Sequence, residues 1–166
     1  SLSLVPACLV ASSYYILNEI LDAPFDAMHP AKKMRGIPAG KVRVSILWAV
    51  MALLMVSGFA LAWTLFDNHL YFASLALLMF FALLYNIPPI RLKDKAFLDV
   101  ISESINNPLR LLIGWYAVVP AEVTDLPPFS IILAWWFFGA LLMSGKRYSE
   151  YRFINNDEIS GSYRRS

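Results

Sequence analysis

The chain of 166 residues contains a single cysteine, Cys8, and two histidines. One cysteine excludes an internal disulfide, and one cysteine with two histidines cannot build a Cys/His zinc cluster. Cys8 lies in an apolar run and reads as a small buried residue. Charge is also scarce: 16% of residues are Asp, Glu, Lys or Arg, against about 25% in soluble domains. The net charge of +2 is too small to suggest a nucleic-acid partner. There is no internal repeat and no low-complexity segment. The chain starts at Ser1 inside an apolar run with no basic segment before it, so the start does not read as a signal peptide.

What is present is apolar. Hydrophobic residues make up 58% of the chain and the mean hydropathy is +0.56, which points to a membrane protein. A spanning helix needs roughly 20 mostly apolar residues. Five segments qualify or nearly so, at about 2–20, 43–66, 69–87, 99–120 and 129–145. None has the period-2 alternation of a barrel strand, so the expected class is all-α, a polytopic transmembrane helix bundle. The turn at Asp67-Asn68 makes the second and third spans a hairpin. The whole of 1–166 reads as part of one transmembrane catalytic domain and as a fragment of a longer protein. The polar tail INNDEISGSYRRS reads as a loop toward further helices.

Basic residues divide cleanly between the loops. Lys32, Lys33, Arg35, Lys41 and Arg43 follow the first span, and Arg91, Lys93 and Lys95 follow the third. Lys146, Arg147, Arg152, Arg164 and Arg165 follow the fifth. The loops at 67–68 and 121–128 carry only Asp67, Glu122 and Asp125. With five spans, all three basic loops fall on one side, which the positive-inside rule makes cytoplasmic.

Polar residues inside the apolar segments are the candidate site. In NEILDAPFD, Asn18, Asp22 and Asp26 are spaced i, i+4, i+8, one face of a helix. Two carboxylates one turn apart repel unless a cation or a proton lies between them. Mg²⁺ prefers oxygen ligands and commonly uses one or two carboxylates with substrate phosphates. The alternative is a solvated interfacial turn, and Pro24 is expected to kink or stop the helix between the two aspartates. In DVISESINNPLR, Asp99, Glu103, Asn106 and Arg110 form a second polar stripe. A charge at mid-bilayer costs roughly 2.5–3.5 kcal/mol, so such residues are expected to face a partner or a wet cavity. A Glu103–Arg110 pair within the helix is disfavoured by their spacing. Tyr85, Arg91 and Lys93 in the third loop, and Lys146, Arg147, Glu150 and Arg152 after the fifth span, add cations beside these acids. Lys146 and Glu150 are spaced i, i+4. Anchoring by positive loops is the bland reading of each basic set. Together they suit a diphosphate whose charge is shared by metal and cations. The acids of NEILDAPFD would then face those of the fourth span across a cytoplasm-facing pocket.

NEILDAPFD resembles the N-x-x-x-D-x-x-x-D motif of the UbiA superfamily of intramembrane prenyltransferases. HPAKKMRGIPAG is similar to that family's basic segment after the motif. YNIPPIRLK is similar to its Tyr-x-x-Pro-Pro loop before the second acidic motif. The resemblance covers most of 15–115. It implies a UbiA-like bundle of usually about nine spans, of which the five here would be the second to the sixth. It implies Mg²⁺ held by Asp22, Asp26, Asp99 and Glu103, with Glu103 standing where many members have Asp. Asn18, Lys33, Arg35, Tyr85, Arg91, Lys93, Asn106, Arg110, Lys146, Arg147 and Glu150 would contact substrate. The implied reaction moves a prenyl group from a polyprenyl diphosphate to a lipophilic acceptor. LDV…LR…GW followed by GKRYSEYR resembles a branch that transfers phosphoribose from phosphoribosyl diphosphate to a polyprenyl phosphate. There Lys146, Arg147 and Arg152 would hold extra phosphates. A transporter whose fourth helix lines a pathway is a further reading. It requires polarity through the full membrane depth, whereas the fourth span turns apolar at LLIGWYAVV.

Overall fold

The computed structural model describes residue 2 and residues 4–29, 32–95 and 97–154. The polar tail beyond Ile154 lies outside the described residues. The described elements are six α-helices: α1 (Leu4–Asp26), α2 (Val44–Leu65), α3 (His69–Asn86), α4 (Leu98–Ser104), α5 (Asn106–Tyr116) and α6 (Phe129–Ile154). Short 3-10 turns at Lys32–Met34 and Leu92–Asp94 lie in two of the basic loops.

Four helices are long and apolar enough to cross a membrane: α1, α2, α3 and the Phe129–Arg152 part of α6. The segment expected as a fourth continuous span is broken at Ile105 into α4 and α5. Pro108 explains the break. It has no N–H to donate to the Ser104 carbonyl, and its ring crowds the preceding turn. The Ser104 hydroxyl donates to the Ile101 carbonyl at 2.9 Å and accepts from the Trp136 indole at 2.9 Å. That second bond ties the break to α6. Laid end to end, the two pieces rise about 28 Å, close to the roughly 30 Å hydrocarbon core.

Pro24 does not stop α1, which runs through to Asp26. It falls in the last turn, so only Phe25 and Asp26 of the helix lie beyond it. Asn18, Asp22 and Asp26 therefore share one helical face. The α2–α3 hairpin forms at the expected place, with Asn68 capping α3 by accepting from Leu70 N at 2.9 Å.

The core is a seam of Val10, Tyr14, Ala62, Tyr71, Leu75, Leu78, Leu109 and Ile113. On α1, Pro6, Val10, Ser13, Tyr14 and Leu17 are buried. Cys8 lies two residues from both Pro6 and Val10, which turns it to the opposite face, and it is exposed rather than buried. Gly58 brings α2 close to α1: a Cβ there would meet Val10 Cγ2 at 2.8 Å and Leu9 Cβ at 3.1 Å. Such small-residue contact is how helices associate where lipid removes the hydrophobic drive. Large apolar side chains stand exposed along α2 (Trp48, Leu53, Val56, Trp63) and α6 (Trp135, Phe137, Leu141), which suits an apolar surrounding.

Candidate active site

The carboxylates and the basic segments converge at one end of the bundle, and their contacts define the site. Asp22, buried at 7% exposure, receives Lys93 Nζ at 2.6 Å and Arg91 Nη2 at 3.0 Å. Asp26, also buried, receives Arg35 Nη1 at 3.0 Å, and the same guanidinium lies 3.7 Å from Glu19. Asp99 pairs with Arg147. Arg147 also donates to Glu150 at 2.7 Å and to the Tyr85 hydroxyl at 3.3 Å. Glu150 accepts from Lys32 at 3.2 Å. Each acidic set is thus neutralised by cations from a different chain segment.

Lys93 is the most enclosed of these cations, with no side-chain exposure. Its ammonium also donates to Asn86 Oδ1 at 2.7 Å and Asn18 Oδ1 at 3.1 Å. Three donors meet three oxygens, so this arrangement leaves none for a phosphate. The side chain clamps Asp22 and the end of α3. Asn86 is itself fixed by donating to the Ala82 carbonyl at 2.9 Å. Arg91 sits over the Phe25 ring at 4.5 Å and also pairs with Asp94 at 2.9 Å. Its φ of 31° lies in the left-handed region, a cost that non-glycine residues bear mostly at functional sites.

The two acidic sets do not touch directly. Tyr85 connects them: its hydroxyl accepts from Arg147, and Lys93 Nζ lies 5.9 Å from its ring centroid. Glu103 accepts from Asn106 at 3.4 Å. Arg110 turns away from Glu103 and donates to the Tyr14 and Tyr15 hydroxyls. Lys33 and Lys146 are exposed and make no ion pair among the described residues. The expected i, i+4 partner of Lys146, Glu150, binds Lys32 and Arg147 instead. His29, buried beside this cluster, accepts from Lys32 N at 3.2 Å through Nδ1. Burial, then the Lys32 charge, lower its pKa from the ordinary value.

Several participants escape sequence reasoning. Asn86 follows Tyr85 directly, and a polar residue at the end of an apolar run was the available signal. Lys32 is adjacent to the selected Lys33, and only the phase of the 3-10 turn separates them. Tyr14 and Tyr15 carry no charge pattern to mark them.

The donor chemistry fits a hard cation only in pairs. Asp22 with Asp26, and Asp99 with Glu103, each offer oxygen ligands one turn apart. Among the described residues, no three His, Cys, Asp or Glu gather closely enough to hold a metal alone. Mg²⁺ takes one or two carboxylates and completes its shell with phosphate oxygens and water.

The model of the UbiA prenyltransferase family matches residues 1–161. The chain belongs to that family. With its four apolar helices, it is an integral membrane protein. It is 31% identical over 156 residues to a decaprenyl-phosphate phosphoribosyltransferase of Mycolicibacterium smegmatis, covering 90% of this chain and 44% of that protein. A protein of the same name from Mycobacterium tuberculosis is 31% identical over 151 residues, covering 90% and 46%. The chain therefore spans less than half the length of these relatives. The structure of a UbiA homolog from Archaeoglobus fulgidus, bound to DMAPP and Mg²⁺, superposes with a TM-score of 0.78 at 19% identity. It covers 98% of this chain and 54% of that one. The chain is thus a portion of a larger UbiA fold.

Proposed function

We propose that the chain is the core of a Mg²⁺-dependent membrane transferase that moves phosphoribose from phosphoribosyl diphosphate to a polyprenyl phosphate. The observation that carries this reading is the convergence of cations on the acids. Lys32, Arg35, Arg91, Lys93 and Arg147 come from three separate segments and converge on one end of the bundle. A prenyl diphosphate brings one diphosphate. Phosphoribosyl diphosphate adds a phosphate monoester, and the polyprenyl phosphate acceptor adds another. The names of the Mycolicibacterium and Mycobacterium relatives support the same choice.

In this reading, Asp22 and Asp26, with Asp99 and Glu103, would hold Mg²⁺ against the donor's diphosphate. Bound there, the ion would neutralise the diphosphate and make it a better leaving group. Arg35, Arg91 and Arg147 are placed to trade a carboxylate for a phosphate oxygen as the donor enters. Exposed Lys33 and Lys146 add charge at the rim. Lys93, Asn86 and Asn18 keep Asp22 in position. An oxygen of the acceptor phosphate bonds to the anomeric carbon as that carbon's bond to the diphosphate oxygen breaks. The positive-inside rule supports a cytoplasmic position for this end of the bundle.

The Archaeoglobus neighbour, bound to DMAPP and Mg²⁺, supports a second reading: transfer from a polyprenyl diphosphate to a lipophilic acceptor. The acid roles are shared by both. In the full-length protein, Asp22→Asn and Asp99→Asn should each abolish transfer while the protein still folds. Unchanged turnover in either variant would refute the assignment of these acids.

A further inference from the structure

Arg110 is not absorbed by the acid–cation network. It lies in α5, seven residues after Glu103 and beyond the break at Ile105. Tyr14, which it contacts, lies about 12 Å below Asp22 on α1 by the helical rise. The guanidinium is therefore well inside the membrane-spanning part of the bundle. An arginine at that depth is costly without a counter-charge. Among the described residues, no carboxylate is within ion-pair distance of it.

Its partners are two phenols. Arg110 Nη2 donates to Tyr14 Oη at 2.9 Å and to Tyr15 Oη at 3.3 Å. The two rings lie 4.6 Å apart. Tyr14 is 5% exposed and fixed in the core, whereas Tyr15 is 54% exposed. The guanidinium keeps further N–H groups beyond those given to the phenols. The cluster thus offers one positive charge with N–H donors to spare. One turn above Arg110, the buried Asn106 has a side-chain oxygen with no hydrogen-bond partner. A hydroxyl donor would satisfy it.

We propose that Arg110, Tyr14 and Tyr15 bind a phosphate monoester dianion in mid-membrane, separately from the diphosphate held at the acids. Two sources share that chemistry: the 5-phosphate of the ribosyl donor and the head group of the polyprenyl phosphate. The rise of about 12 Å along α1 from Asp22 to Tyr14 suits a second phosphate of the reacting pair. The naming of these ligands rests on the phosphoribosyl reading.

The test is equilibrium binding to the full-length protein in detergent with Mg²⁺. The probes are ribose 5-phosphate, polyprenyl phosphate and inorganic diphosphate. Arg110→Gln should weaken one of the two monoesters about tenfold or more, as expected for a lost charge-assisted hydrogen bond. Inorganic diphosphate should bind as in the wild type, which reports an intact acid site. Loss confined to ribose 5-phosphate assigns the cluster to the donor, and loss confined to polyprenyl phosphate assigns it to the acceptor. Wild-type affinity for both monoesters in Arg110→Gln overturns the proposal while leaving the phosphoribosyl reading intact. Failure of the wild type itself to bind either monoester overturns both. Should Arg110→Gln lose diphosphate binding by misfolding, Tyr15→Phe decides. It keeps the half-exposed ring and should weaken the same monoester severalfold; unchanged binding overturns the proposal.

Discussion

Lys93→Met is the most informative single change. The wild-type ammonium is fully enclosed and donates to Asp22 at 2.6 Å, Asn86 at 2.7 Å and Asn18 at 3.1 Å. Methionine keeps most of the side-chain volume and removes the charge. Asp22 then remains buried with Arg91 as its cation, at 3.0 Å. Breaking a buried pair by removing one partner typically costs about 3–5 kcal/mol. Arg91 retains part of the compensation, so the lower end, about 3 kcal/mol, is expected. Two asparagine oxygens lose a charged donor as well, which opposes any recovery by repacking. The assay is denaturant unfolding of the full-length protein in detergent, with Asp22→Asn as the second arm of a double-mutant cycle. The double variant should be less destabilised than the sum of the singles, with a coupling of about 1–3 kcal/mol. A Lys93→Met protein as stable as wild type, with weakened binding of inorganic diphosphate, would refute the clamp. It would make Lys93 a phosphate ligand.

Further outcomes follow from the same contacts. Arg147→Met strips a cation from Asp99, Glu150 and Tyr85 together; transfer activity should be lost, and Arg147→Lys should restore little of it because one ammonium cannot reproduce the fork. Gly139→Ala puts a Cβ 1.9 Å from Asn107 Nδ2, so that the Asn107 amide must swing aside, at about 1 kcal/mol, readable as a slightly lower unfolding midpoint. His29 has its pKa lowered below the ordinary 6.5 in the fold. The unfolded chain then binds the extra proton, so this contribution is full above about pH 6.5 and lost as pH falls below it. His29→Gln should flatten that part of a stability–pH profile, and an unchanged slope would refute the assignment.

Four long apolar helices of the five expected were legible, because continuous apolar runs leave few alternatives in lipid. The helical face carrying Asn18, Asp22 and Asp26 was legible from spacing alone. Spacing says which residues share a face, but not which loop folds over it. Glu150 therefore looked like the partner of Lys146 and proved to bind Lys32 and Arg147. The same limit hid Asn86, whose role depends on a loop returning Lys93 to the end of α3. It also hid Tyr14 and Tyr15, which meet Arg110 across 96 and 95 positions of sequence. The break at Ile105 was foreshadowed by Pro108, but the length of the apolar segment outweighed it in the reading. Pro24 erred in the other direction, because only two helical residues lie beyond it.

The account turns on the donor. Full-length protein in membranes with Mg²⁺ can be given phosphoribosyl diphosphate labelled in the ribose, together with polyprenyl phosphate. A parallel reaction receives labelled polyprenyl diphosphate and a lipid extract. The account predicts ribose label in a polyprenyl-phosphate product, dependent on Mg²⁺ and absent from Asp22→Asn. Label arriving only from the prenyl donor would contradict it and assign the same acids to prenyl transfer.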